Sequence, residues 1–302
     1  MMKLMTWGLG LAGLAALAAG LAAAEPKAGE LAADIEAWRA QRTAQLVKPD
    51  GWLTLIGLHF LSPGENTVGT AADNAVVLAK GPAHLGSILL APDGRMKARF
   101  NPGLNVQVDG ADALGADLQD DTHGPSTLVT CGTVSFLAIE RGGRKALRVK
   151  DSAAERRTQF LGIDYFPIDP TWRLEADWVP FDQPREVPIR NILGHVSPAM
   201  ILGQAVFTRG GRRWALLPIQ EHPDGVLFFV ISDLTSGQQT YAAARFLYAA
   251  PPVDGKVVLD FNKAQNPPCA FTPFATCPLP PKENQLPIAV TAGEKSYRGH
   301  QE

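Results

Sequence analysis

Histidine and cysteine are scarce in this 302-residue chain, at six and three. The histidines are scattered and form no ligand pair at helical or strand spacing. His195 and His222 stand beside Gly and Pro in expected loops, where solvated histidines are commonplace. No Gly-x-Ser-x-Gly elbow occurs, so an α/β-hydrolase nucleophile is unsupported. No glycine loop that would cradle a phosphate precedes a helix. No cofactor and no metal are therefore expected. Charge of either sign is not in excess, with 28 Lys and Arg against 30 Asp and Glu. Nucleic acid and anionic membrane surfaces demand clustered positive charge, so neither is an expected partner.

One long apolar run is present, at the start. Met1 to Ala24 carries a single charge, Lys3, and ends in Ala22-Ala23-Ala24 before Glu25-Pro26. A basic start, an apolar middle and a small-residue exit describe a secretory signal peptide over 1–24. An uncleaved anchor helix is the other reading, since the stretch is about long enough to span a bilayer. Cleavage predicts a periplasmic or secreted protein without a stable membrane span, and a charge balance near −3 because only Lys3 is lost.

Over 25–50, Leu31, Ile35, Trp38 and Leu46 recur at roughly helical spacing, with Asp34, Glu36, Arg39 and Arg42 between them. This is an amphipathic helix, ended by Lys48-Pro49-Asp50-Gly51. The period then changes to two. Short apolar runs lie at 52–61, 75–79, 87–91, 95–100, 106–109, 114–119, 134–140 and 146–150, with Asp93-Gly94 and Gly142-Gly143 as hairpin turns. A second series covers 172–179, 186–192, 201–208, 214–219, 226–232, 240–248, 256–261 and 287–291. The fold class is mainly β: a sandwich over 51–155, then a second antiparallel sandwich or barrel unit over 156–302. One continuous curved sheet is the alternative to that division.

Pro is dense between Asp260 and Pro281, yet Phe261, Phe271, Phe274 and Leu279 interleave with it. Pro fixes φ and removes donors, so 260–281 reads as a rigid strap outside any ladder. Cys269 and Cys277 lie in it. In an exported chain the simplest expectation is a disulfide, which would stabilise so short a loop by roughly 2.5 kcal/mol. Two thiols or a metal site are the alternatives, though C-x7-C lacks finger spacing and a nearby His. Cys131 reads as a small core residue.

The polar constellation follows. Asp233-Leu-Thr-Ser-Gly237 is a chain reversal in which Asp233, Thr235 and Ser236 bond locally. In the strand after it, Arg245 shares a face with Tyr241, Ala243 and Leu247. A guanidinium there is costly unless paired. If Ala249 faces Lys256, Arg245 falls opposite Asp260, and the expected ion pair is Arg245–Asp260. Arg245, Asp260, Asn262, Tyr241 and Asn266 would then line a pocket for a polar ligand or cell-envelope partner. The bland reading is a network that pins the strap, with Glu294 a possible extra carboxylate or an exposed end. A carboxylate-dependent hydrolase of a glycan or ester, using Asp233 and Asp260, is the alternative function.

Two resemblances bear on this. Gly64-Glu-Asn-Thr-Val-Gly69, Asp73–Leu78, Pro82-Ala-His84 and Asp109-Gly110 follow the order of a forkhead-associated sandwich. Its phosphate-binding positions read Thr70 and Pro82-Ala83 here, so the resemblance implies shape without phosphopeptide binding, and His84 is read as a turn or packing residue. Arg157-Thr-Gln-Phe160, Tyr165-Phe-Pro167, Asp233-x-Thr-Ser-Gly237, Thr240-Tyr241, Arg245-Phe-Leu247 and the 260–281 strap, in this order, resemble the bacterial and archaeal "domain of unknown function 1684" family. That resemblance spans Trp38 to Tyr297 and implies a shared fold but no activity.

Overall fold

The computed structural model describes residues 28–219 and 225–299. The expected signal segment 1–24 and His222 lie outside the described residues. Helix α1 (Ala28–Leu46) buries Leu31, Ile35 and Leu46, the stripe that its spacing predicts. Burial of each such side chain contributes about 1.5–3 kcal/mol. Arg39 and Arg42 are not on the wet face as expected. Arg42 continues the buried stripe, with its side chain only 12% exposed.

Eleven short strands then build two sheets. They are β1 (Leu55–Phe60), β2 (Gly64–Gly69), β3 (Val76–Val77), β4 (Gly86–Leu90), β5 (Met96–Phe100), β6 (Val106–Val108), β7 (Ala111–Asp112), β8 (Gly115–Leu118), β9 (Leu128–Cys131), β10 (Val134–Arg141) and β11 (Arg144–Asp151). One sheet runs β1-β11-β10-β9-β6-β7 and the other β3-β2-β4-β5-β8. Alternation decides the core: Met96, Ala98 and Phe100 of β5 face Val134, Phe136 and Ala138 of β10, joined by Leu147 and Val149 of β11. Gly142 and Gly143 both take φ near +70 at the two-residue turn between β10 and β11, which only glycine adopts cheaply. Ala146 and Arg148, on the opposite face of β11, are buried as well. The outer face of the sandwich is therefore covered at β11.

What covers it is a second unit with its own core. Strands β12 (Arg173–Arg190), β13 (Val196–Arg209), β14 (Arg212–Leu216) and β17 (Lys256–Asp260) form a sheet in the order β14-β13-β12-β17, while β15 (Leu227–Ile231) pairs with β16 (Arg245–Ala249). A bridge between Ile219 and Phe228 ties the two sheets, and Phe207, Phe229, Ile231, Leu247, Leu259 and Phe261 pack between them. The runs at 172–179 and 186–192 are one strand, β12, interrupted by a bulge between Pro180 and Arg185. Pro at these sites removes ladder donors without ending the strand. A short helix, α2 (Glu155–Thr158), occupies the stretch between the two cores. Among the described residues, no helix is long and apolar enough to cross a membrane.

Two strand expectations are corrected. Thr240–Ala244 is not part of β16, because Thr240 closes the preceding turn through its bonds with Thr235 and Gly237. Residues 287–291 form no strand, since the carbonyl of Val290 is taken by Arg245 and that of Ile288 by the amide of Leu234. The Arg245 side chain and the Leu234 amide replace the ladder there.

Candidate functional site

Arg245 opens β16 and is 1% exposed, the largest fully buried side chain described. The expected hairpin between β16 and β17 does not form: β16 pairs with β15, Ile231 opposite Arg245, and β17 pairs with β12, Arg173 opposite Asp260. The ion pair is consequently Arg245–Asp233, at 2.8 Å between Nη2 and Oδ2, not Arg245–Asp260. The physical reason is the reversal at 233–240, which returns the chain so that Asp233 follows β15 directly and meets the start of β16. The Asp233 carboxylate is saturated. Its Oδ1 accepts from the Thr235 amide at 2.9 Å, the Thr235 hydroxyl at 2.7 Å and the Val290 amide at 3.1 Å. Arg245 in turn donates to the carbonyls of Val290, Ala292 and Glu294. One ion pair thus holds the whole C-terminal arm 290–294.

A second pair backs it. Glu294 is fully buried; its Oε1 accepts from Arg42 Nε at 2.9 Å and its Oε2 from the Asn266 amide at 2.7 Å. Burial pushes this carboxyl up, and Arg42 and Asn266 oppose the push without cancelling it. Asn266 also donates from Nδ2 to the Lys295 carbonyl at 2.7 Å, while its Oδ1 is buried without a hydrogen-bond partner among the described residues. Asp260 and Asn262 lie apart from Arg245's pair. Asp260 Oδ1 accepts from the amide and Nδ2 of Asn262, at 3.1 and 3.0 Å, and so caps the short turn Phe261–Lys263. Asn262 further ties the amide and carbonyl of Asp169. Tyr241 is half-buried against the Cys269 and Phe271 clusters, and burial foremost pushes its hydroxyl up to about 12.

Reasoning from sequence grouped Arg245 and Asn266, with Glu294 as an extra carboxylate, alongside Asp260, Asn262 and Tyr241; it kept Asp233 apart as a turn residue or catalytic candidate and missed Arg42 and Asn284. Asn284 is 1% exposed and makes three bonds, one from the Leu217 amide and two to the carbonyls of Leu217 and Val230. Its place in a Pro-rich, unladdered segment is the signal for such a role, because such a segment needs side-chain bonds to anchor it. The expected Cys269–Cys277 disulfide is not formed. The turn at Pro268–Ala270 aims each cysteine's amide at the other's sulfur, Cys269 N to Cys277 Sγ at 3.2 Å and Cys277 N to Cys269 Sγ at 3.3 Å. The pair is a dithiol. Cys131 is only partly buried, at the edge of the sandwich core.

The cluster around Arg245 is closed, so it offers little to a ligand directly. It does hold the arm that carries Tyr297 and Gly299, and these line a cleft of about 620 Å³ between the sandwich and the second unit. Ile56, Ala79, Ala153, Ala154 and Leu161 give it an apolar lining, and Lys80, Asp151, Glu155, Arg156 and Gln159 give it polar groups. Asp151 is 2% exposed and pairs with Lys80 at 3.1 Å. Burial pushes its carboxyl up, but bonds to Ala153, Thr133 and Lys80 bring it below the usual value. The Tyr297 ring stacks on Phe160 with centroids 5.5 Å apart, so the wall is rigid. Neither Asp233 nor Asp260 lines this cleft.

A family model described as "Protein of unknown function (DUF1684)" matches residues 158–295, the stretch that contains the Arg245 cluster, the strap and Glu294. No curated protein matches the chain. An uncharacterized protein from Haloarcula marismortui, solved by solution NMR, is 32% identical over 48% of this chain and 81% of that one, with a TM-score of 0.40. The chain belongs to the DUF1684 family of proteins of unknown function.

Proposed function

We propose that this is an exported binding protein that takes a small polar molecule, with both a charged and an apolar part, into the cleft between its two cores. The observation that carries the reading is the cleft itself: about 620 Å³, with an apolar lining and both cationic and anionic groups. That volume lies in the range of small-molecule sites. Lys80, whose side chain is 56% exposed, would meet an anionic group, the exposed Glu155 a cationic one, and Tyr297 the apolar part, while Asp151 orients Lys80. In this reading Arg245, Asp233, Asn266 and Glu294 position the wall rather than touch the ligand, and Asp260 with Asn262 anchors the strap behind it. The hydrolase reading has no support of its own, because Asp233 and Asp260 are each spent on local bonds.

Thermal-shift screening with amino acids, short peptides, organic acids and phosphate esters tests the cleft. A ligand at a hundred times its Kd adds about 2.7 kcal/mol, or about 5–10 °C in Tm for a chain of this size. Lys80→Glu and Leu161→Arg, both at exposed lining positions, should abolish the gain. A screen without any gain, or a gain that both variants retain, overturns the proposal. Export rests on the sequence of residues 1–24 and has its own test. The full chain made in a bacterium should be recovered beginning at about Glu25 outside the cytoplasm. Recovery with Met1 in the cytoplasm removes export and leaves the cleft reading standing.

A further inference from the structure

Arg148 is buried on the outer face of β11, 9% exposed, yet among the described residues it makes no salt bridge. Its guanidinium stands 5.3 Å over the Trp52 ring, and its Nε has no hydrogen-bond partner among those residues. Asp121, the nearest carboxylate to act on it, is taken by Arg141 at 2.7 Å. A buried cation without a counter-anion is expensive, so a second anionic group is expected beside it. After Arg141 and Asp121, the groups whose charge bears on it are the sulfurs of Cys277 and Cys269. Each sulfur already accepts an amide N–H, at 3.2 and 3.3 Å, which is a preformed arrangement for negative charge on sulfur. The pair is 5% and 7% exposed, but Cys277 stands between Thr276 and Pro278, which line a cleft of about 340 Å³ with Arg141 and His195.

We propose that Cys269 and Cys277 form a redox-active dithiol, with Cys269 the attacking thiolate, Cys277 the resolving thiol and Arg148 the cation that positions and stabilises the thiolate. Its substrate class is a low-molecular-weight disulfide that enters beside Thr276 and Pro278. Cys269 attacks one sulfur of that disulfide, the S–S bond breaks and one thiol leaves, so Cys269 is held in a mixed disulfide. Cys277 then gives up its proton, attacks Cys269 and expels the second thiol. Two electrons pass from the dithiol to the substrate, which ends as two thiols. The hydrogen bond from Cys277 is the main cause that holds the Cys269 thiol below its usual value, whereas the same contact pushes Cys277 up. The direction of this asymmetry agrees with the proposed roles, and trapping in the two serine variants decides between them. Oxidation removes the thiolate and leaves Arg148 unbalanced, so the disulfide should be easily reduced rather than a structural staple.

Other titratable groups face the pair. Tyr241 and Tyr248 are both pushed up by burial and stay neutral, and Arg141, which reaches Thr276 Oγ1 at 3.3 Å, is paired with Asp121, whereas Arg148, unpaired among the described residues, is the cation that lowers Cys269. The test uses the mature protein with Cys131→Ser, so that only this pair reports. Equilibration in buffers of reduced and oxidised glutathione, followed by alkylation and mass measurement, should show the pair passing between two thiols and a disulfide within that range. Cys277→Ser should trap glutathione on Cys269, and Cys269→Ser should not trap it on Cys277. Arg148→Met should slow alkylation of Cys269 at neutral pH at least tenfold and move its pH profile upward, with Arg148→Lys restoring most of the rate. A pair that stays oxidised at every ratio is a staple, and a pair that never oxidises and traps nothing is inert; either result overturns the proposal. An Arg148→Met profile that matches the wild type overturns the role of the cation.

Discussion

Arg245 is paired with Asp233, twelve residues before it in the chain, and the pair is almost wholly screened from water, at 1% and 0% side-chain exposure. Truncating one member strands the other as a buried charge. Arg245→Met and Asp233→Asn are each expected to cost about 3–5 kcal/mol in urea unfolding. The double variant should cost less than the sum, because it leaves no orphaned charge. Additive losses would mean that the two side chains do not act as a pair. Unchanged stability in either single variant would mean that the cluster does not hold the C-terminal arm.

Much of this architecture was legible in the sequence, and the exceptions share a cause. Alternation of apolar residues located most strands of the sandwich, since Met96, Ala98 and Phe100 or Phe136 and Ala138 can bury only one face. A buried ion pair at Arg245 was legible from its place between Ala243 and Leu247. Its partner was not. The partner depends on which strands pair, and Pro251-Pro-Val-Asp-Gly255 reads as a hairpin turn whether or not its flanks form a ladder. Arg42 was misplaced for a similar reason. Helical periodicity reports apolar side chains, and a cation that replaces one in the buried stripe carries no signal until its carboxylate, Glu294, is located more than 250 residues away.

Two carboxyls should give opposite pH dependences. Glu294 is held above its ordinary 4.5 by burial, so it releases its proton later in the folded chain than in the unfolded one. Its contribution is fully present below about that value and is lost as pH rises through the raised folded value. Asp120 is the reverse case. Burial pushes its carboxyl up, but bonds to Lys145 and Thr122 overcome this and hold it at about 2, against an ordinary 3.8. That contribution, about 1–2 kcal/mol after discounting for solvent, is present at neutral pH and lost as pH falls from about 4 to 2. Urea midpoints at a series of pH values measure both. The stability of the wild type relative to Glu294→Gln should fall with rising pH, and relative to Asp120→Asn it should fall with acid. Parallel curves for either variant would refute the assignment.

Asn284 offers a test of how the strap is anchored without any charge. It satisfies the amide and carbonyl of Leu217 and the carbonyl of Val230, so Asn284→Ala leaves three buried backbone groups unmet. Each such loss costs about 1–3 kcal/mol where water cannot enter. A loss of at least about 3 kcal/mol is expected, read as a lower urea midpoint with an unchanged slope. Asn284→Asp keeps the acceptor for Leu217 N but places a charge against two carbonyls, so it should be no better than alanine.

Gly293 shows most directly how the buried cluster is joined to the cleft. Its φ is +82, and a Cβ built there would come within 2.4 Å of the Ala264 carbonyl oxygen and 2.8 Å of that of Phe261. The closeness is functional in the fold, since the Glu294 amide donates to that same Ala264 oxygen at 2.8 Å and the Phe166 amide donates to the Gly293 carbonyl at 3.0 Å. Gly293→Ala must hold a left-handed backbone, which costs about 1–2 kcal/mol, and in that backbone its Cβ must also push the arm away from the strap. Displacement would loosen the bond of Asn266 to Lys295 and shift Tyr297, the residue that walls the cleft. The variant should therefore lose more than about 2 kcal/mol of stability and also weaken any ligand found by thermal shift. Asn284→Ala, which frees the turn just after the strap, should lose stability while affinity survives in the folded fraction. Equal effects of the two variants on affinity would show that the arm does not connect the Arg245 cluster to the cleft.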